Sequence, residues 1–187
     1  MSTATAPAAQ PATRTTWHID PSHSLIEFSV RHMMVSTVKG RFARFRGTIV
    51  DVVEDPTQSS VEVAIDPTSI TTGDDKRDGH LRSADFFNVE QHPTITFKSR
   101  RIEGSREEFT VTGDLTILGV TREVSLDVTF NGIGTNPYGK TVAGFSAETK
   151  LSRKDWGLNW NVALEAGGVL VSDQLKISIE LQAVKAD

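Results

Sequence analysis

The chain has 187 residues, no cysteine, 24% charged and 37% hydrophobic residues, and a formal net charge of −4. That length suits one well-filled domain, and the composition is that of a globular protein. The counts exclude a disulfide framework, a thiolate zinc site and a thiol nucleophile, and the acidic balance argues against a general nucleic-acid binder.

Residues 1–16 are rich in Ala, Thr and Pro and lack the basic start and apolar centre of a secretory signal. They predict a disordered tail ahead of one domain over 17–187, in a protein that stays in the cytoplasm. No run approaches the ~20 apolar residues of a membrane-spanning helix. Ile26, Phe28 and Val30 alternate with Glu27, Ser29 and Arg31, the period of a half-buried strand. His32 continues the apolar parity, and Met33-Met34-Val35 breaks it as a turn or short helical piece. Arg41 to Val53 reads as one long strand, with Gly47 marking a bulge or bend. Glu54-Asp55-Pro56-Thr57 is a turn, and Val61, Val63 and Ile65 alternate until Asp66-Pro67.

Thr72 to Arg82 is the one densely charged run without strand alternation. Thr72 and Asp75 have capping-box spacing, and Asp74 adds an acid at the positive end. Asp78 and Arg82 stand four apart, acid first, the favourable order for a helix pair. The pattern predicts a short helix near residues 73–83, a polar plug or lid against a β-rich body. Ser83 to Phe87 follows as a tight, apolar-tipped connection.

Strand alternation then resumes. Ile95 and Phe97 share a face, as do Phe109, Val111, Leu115 and Ile117, and then Val124, Leu126, Val128 and Phe130. Leu118-Gly119 makes a short hairpin connection, and Asn136-Pro137-Tyr138-Gly139 has the pattern of a type I turn. Val142 to Leu151 is a strand, Ser152 to Asn161 a loop with Trp156 and Trp160, and Leu175 to Leu181 alternates in the last strand. Eight to ten strands with hairpin-length connections predict an antiparallel barrel or sandwich, and the long strands with a single helical insertion favour the barrel; about eight strands is the size that holds one small ligand. Gly113, Ala143 and Ala147, the last two beside Phe145, are small inward residues that leave room. A filled core is the plainer reading of the same pattern.

Several polar groups carry two readings. Arg77, Asp78 and His80 either hold a ligand headgroup or pin the helix to the barrel through ion pairs and a buried imidazole. His32 either faces the cavity or is a satisfied core histidine. His18, His23 and His92 read as structural or exposed, and no His spacing points to a metal. Lys39, Arg41, Arg44 and Arg46, interleaved with Phe42 and Phe45, are either a patch for a membrane surface or a solvated edge strand. Trp156 and Trp160 line the mouth or cap the barrel end. No catalytic triad elbow, phosphate-binding loop or dinucleotide fingerprint is present.

Trp17-His18-Ile19-Asp20, His23-Ser24, Phe28-x-Val30-x-His32 and Gly40-x-Phe42 resemble the opening of the YceI-like family. The resemblance continues through Ser69-Ile70-x-Thr72, Arg77-Asp78-x-His80-Leu81, Asp85-Phe86-Phe87 and Pro93-x-Ile95-x-Phe97-x-Ser99. It ends with Gly113-x-Leu115-Thr116-Ile117-x-Gly119-Val120-Thr121 and Arg153-x-x-x-Gly157, so it spans about residues 17 to 183. Trp156 stands where the family more often has Phe. The resemblance implies an all-β fold: an extended lipocalin-like antiparallel β-barrel with the helical insertion. It implies an apolar cavity for a polyisoprenoid, such as a prenylated quinone or precursor, or another long-chain lipid. Many relatives carry a secretory signal and are periplasmic, from which this sequence departs.

Phe28, Val30, His32, Phe42, Arg77, Asp78, His80, Phe97, Phe145, Arg153 and Trp156 are therefore the expected ligand-binding residues. The expected role is a carrier without chemistry, cofactor or metal, compatible with a homodimer and with transient membrane contact. The alternative is an enzyme acting on a lipid-like substrate, with His80 or His32 as acid/base and Arg77 stabilising charge. A third reading is a structural dimer with a filled barrel.

Overall fold

Period-two alternation turns every second side chain inward, and the strands close around that apolar stripe. The computed structural model describes residues 12–187, so the tail expectation for residues 1–11 lies outside the described residues. The first strand, β1, spans Arg14–Ile19, so the ordered domain begins three residues before the expected boundary. The remaining strands are β2 (Leu25–His32), β3 (Ser36–Phe42), β4 (Phe45–Val52), β5 (Ser60–Ile65) and β6 (Ile70–Thr71). After the helix α1 (Asp75–Arg82) come β7 (Ile95–Gly104), β8 (Glu108–Ile117), β9 (Val120–Thr135), β10 (Thr141–Ser152) and β11 (Val171–Lys185).

The order β1-β4-β5-β7-β8-β9-β10-β11 returns to β1, where Trp17 pairs with Lys185 and Ile19 with Ala183. Eight antiparallel strands therefore close a barrel, as the sequence predicts. The other three extend it from β11: β2 pairs with β11, β3 with β2, and β6 with β3. β1 and β2 lie along the same side of β11 and amount to one strand bent at residues 20–24. The same bend recurs between β3 and β4 and between β5 and β6. No ladder joins β6 to β7 among the described pairings, so the barrel seam parts there. Residues 72–94, with α1, fill that gap.

The bends explain why Arg41 to Val53 is two strands and not one. Ala43 N–H donates to the Ser69 carbonyl (3.2 Å) and Arg44 N–H to Ser69 Oγ (2.9 Å). The Arg44 carbonyl accepts from Asp66 N–H (3.0 Å). These partners are distant in sequence, so no local turn signal marks the break. Gly47 is not a bulge: it pairs in register with Val63. A Cβ there would stand 2.6 Å from Ile19 Cδ1 and 2.8 Å from the Glu62 carbonyl oxygen, so close approach requires the glycine.

Three connections share one device. Asp20-Pro21-Ser22, Asp55-Pro56-Thr57 and Asp66-Pro67-Thr68 each open a short 3-10 turn. The aspartate accepts from the backbone N–H two residues on, at 2.9, 3.1 and 2.8 Å respectively. Proline supplies the fixed φ and has no N–H to satisfy. All three carboxyls titrate below the usual aspartate value. The causes are a hydrogen bond from His23 for Asp20, from Thr57 and Gln58 for Asp55, and from Thr68, with Arg44, for Asp66. A lowered folded-state pKa gives stability that is present above the unfolded value and lost as pH falls through the folded one. Urea midpoints are expected to be flat from about pH 7 to 5 and to fall below about pH 4. Asp66→Ala is expected to cost about 1 kcal/mol at neutral pH and to shallow that acid limb.

α1 begins where expected but is capped differently. Asp74 is the cap, its Oδ1 accepting from Arg77 N–H at 2.9 Å. The Thr72 hydroxyl and N–H instead donate to Asp78 Oδ1 at 2.5 and 2.9 Å. Asp78 is buried and satisfied by the chain entering the helix. The expected Asp78–Arg82 pair does not form, because Arg82 donates to the carbonyls of Thr68 (2.9 Å) and Ile70 (3.0 Å) and ties α1 to β6. The sequence Met33-Met34-Val35 is a hairpin tip in which Met33 and Met34 both adopt positive φ.

Candidate binding cavity

The barrel holds a cavity of about 270 Å³, partly open to solvent, whose exposed wall is apolar. It runs from Leu81, Phe86 and Phe87 of the insertion to Ile49, Phe109 and Phe145 near the other end. Ile26, Val63, Ile95, Leu115, Val124, Ala147, Leu151, Ile177 and Ile179 line its length. Beyond Phe145, Trp17 packs with Ala143, Ala183 and Phe130 and closes the far end. The small-residue expectation is thus corrected in part. Ala143 makes space that Trp17 fills, and a Cβ on Gly113 would meet the Lys98 carbonyl at 2.4 Å and Phe97 Cζ at 2.7 Å. Of the three, Ala147 is the one on the cavity wall.

Of the residues expected at a ligand, Phe28, Phe42, Phe97, Phe145, Arg153 and Trp156 stand on this wall. Phe28, Phe42 and Phe87 form an aromatic run, with centroids 5.9 and 5.8 Å apart. Trp156 is buried, and its Nε1–H donates to the Leu115 carbonyl at 3.0 Å, which holds the indole across the barrel end. Arg153 contributes only its stem. Its guanidinium donates through Nε to the Ser172 carbonyl (3.0 Å), through Nη1 to the carbonyls of Leu158 (2.5 Å) and Trp160 (2.8 Å), and through Nη2 to the Val171 carbonyl and Asp173 Oδ1 (both 3.5 Å), so every nitrogen is turned to a protein partner. Burial pushes its pKa down, against the pull of Asp173.

Val30, His32, Arg77, Asp78 and His80 are not among the residues that line this cavity. Val30 and His32 continue the inward parity of β2; Val30 pairs with Val38 and with the wall residue Leu175, and His32 with Ser36 and Val171. Arg77 turns back to Thr72, donating to its Oγ1 at 2.7 Å and its carbonyl at 3.0 Å. His80 Nε2 meets Asp85 Oδ2 at 2.8 Å. Its ring packs edge-on against Phe86 (5.1 Å) and Trp160 (4.7 Å), so the imidazole holds the insertion against the loop after β10. The acid/base and charge-stabilising groups that an enzyme reading needs are therefore not assembled at the cavity. His23 pairs with Asp20, away from His80, and no metal-binding cluster occurs among the described residues. Phe42 and Phe45 are buried, so the basic residues interleaved with them stand at the surface without aromatic neighbours.

Sequence reasoning missed Leu81, Phe86, Phe87 and Leu158 as wall residues. The available signal was the Phe86-Phe87 pair in an otherwise polar connection.

Comparison with known proteins agrees with this architecture. A family model of the YceI-like domain matches residues 17–183. A UPF0312 protein of Staphylococcus epidermidis is 41% identical over 163 residues, covering 87% of this chain and 93% of its own. BcnA of Burkholderia cenocepacia has the same fold, with a TM-score of 0.76 at 23% identity over 88% of this chain and 98% of that one. So does a domain from Saccharophagus degradans described as polyisoprenoid binding, with a TM-score of 0.67 at 14% identity over 94% and 100%. With its barrel, its insertion and this match over nearly the whole described length, the chain belongs to the YceI-like family.

Proposed function

We propose that this protein binds the hydrocarbon chain of one polyisoprenoid or comparable long-chain lipid and carries, stores or sequesters it unaltered. A prenylated quinone or its precursor is the form that the reading favours. The observation that carries it is the cavity wall without exposed polar atoms. Such a wall offers a ligand no hydrogen bond, so affinity has to come from apolar surface removed from water, at about 0.8 kcal/mol per CH₂. The domain from Saccharophagus degradans, described as polyisoprenoid binding, supports the choice of ligand class.

The test is organic extraction of protein purified without detergent, followed by mass spectrometry. Stripped protein is then titrated with a prenylated quinone, read by quenching of tryptophan emission, since Trp156 stands on the wall. A co-purified apolar lipid or saturable one-to-one quenching is expected. Absence of both would end the proposal.

A further inference from the structure

The cavity ends on a built floor. Along β10 the inward residues Leu151, Thr149, Ala147 and Phe145 all line it, and the next one, Ala143, does not. Ala143 is paired with Ala183 of β11, and at 2% and 0% exposure the two bare methyl groups leave room that the Trp17 indole takes. Trp17 stands on β1, the strand that closes the barrel, paired with Ile49 of β4 and Lys185 of β11. Ile49 and Phe145 belong to both bodies: they line the cavity and pack on the Trp17 cluster. The floor is thus two layers deep, with Phe145 and Ile49 above and Trp17 beneath.

The backbone is shaped to this floor. Phe130 and Phe145 are direct partners on β9 and β10, with ring centroids 5.4 Å apart. The register shifts at once beyond them: Gly144 faces Gly132, so Asn131 is left without a partner on β10. A bulge of this kind bends its strand and re-aims the side chains beside it. It is tied on the outer face, where Asn131 Nδ2 donates to Ser146 Oγ and Ser146 Oγ to Glu180 Oε2, both at 2.7 Å. Two aromatic rings therefore stand side by side at the level where the cavity stops.

An apolar wall gives affinity only through the hydrocarbon that it covers. The depth available is finite: from Phe145 to Leu151, which packs in the Trp156 cluster, is about 20 Å of strand at ~3.3 Å per residue. We infer that Phe145, backed by Trp17, is the stop that fixes how many isoprene units this protein covers. The polar head finds no partner on the wall, so the chain lies with its apolar end toward Trp17. Each unit that fits adds binding, and each unit beyond the stop stays in water and adds none. A residue that merely filled the core would alter stability and leave that number unchanged.

The inference rests on the lipid-binding proposal, and the two fail differently. Full-length protein stripped of lipid is titrated with prenylated quinones that lengthen by one isoprene unit at a time, read by quenching of Trp156 on the wall. Wild-type affinity is expected to rise at least tenfold per unit up to a limit and to stay level beyond it. Phe145→Ala removes a ring with more carbons than one isoprene unit, and Trp17→Ala added to it opens the layer beneath. The single variant is expected to move the limit to a longer chain, with at least a tenfold gain for the first unit beyond the wild-type limit, and the double variant to move it further. Thermal melting checks that each is folded. Phe145→Leu, which keeps the layer apolar, stands in for a variant that is not, with at least a threefold gain expected. An unchanged limit in folded variants, or a wild-type affinity that keeps rising or never rises with length, would overturn the stop while leaving the lipid-binding proposal in place. Binding of no quinone at any length would overturn the lipid-binding proposal itself, and the stop with it.

Discussion

Replacing Ala147 with tryptophan is expected to abolish binding of a long isoprenoid while leaving the barrel folded. Ala147 lies midway along β10, paired with Val128 and Ile179, and is the small wall residue that no neighbour fills. An indole there projects into empty space and blocks the tube. Exclusion of even one five-carbon unit removes about 4 kcal/mol of burial, close to a thousandfold in Kd. The ligand-free protein is expected to melt at the same temperature or higher, because the indole covers wall that is otherwise bare. Quinone titration and thermal melting of the same sample separate the two effects. Unchanged affinity would mean that the ligand lies outside the barrel.

Arg153→Met is expected to destabilise the fold by about 3 to 5 kcal/mol, read as a shift in the urea midpoint. Methionine keeps the apolar stem on the cavity wall but removes every donor. The carbonyls of Leu158, Trp160 and Ser172 then lose the one group that gathers them. Asp173, which Lys154 also reaches at 2.9 Å, keeps that partner. Arg153→Lys is expected to recover little, since an ammonium cannot reproduce the planar fork. The loop between Gly157 and Leu170 is expected to become the first protease-sensitive site in both variants. A small change in stability would show that the loop is held by its other contacts.

The barrel was readable because its strands alternate strictly. Val124 to Phe130 in β9 and Leu175 to Leu181 in β11 each show the inward stripe that closure requires. The bend at Ala43-Arg44 was not readable, because its hydrogen bonds come from Asp66 and Ser69, more than twenty residues away. The helix was readable from its break in alternation, but its cap was not. Thr72 and Asp74 are both good caps, and the choice depends on buried Asp78 taking the threonine. The hollow centre was open on sequence alone, since inward apolar residues look the same around a cavity and in a packed core. Aromatic wall residues on regular strands, such as Phe28 and Phe97, could be found by parity. Phe86 and Phe87 could not, because their connection has no period. Charged candidates fared worst. Arg77 and His80 stand out in a charged run, yet each is held by a protein partner rather than aimed inward.

The most direct measurement of a hydrocarbon chain in this barrel is electron density along its axis, in crystals of protein purified without detergent. The account predicts one continuous, tube-shaped feature between Trp156 and Phe145, in van der Waals contact with Ala147 and free of bonded waters. Phe28, Phe97 and Leu115 meeting across the axis, or an ordered chain of water there, would contradict it.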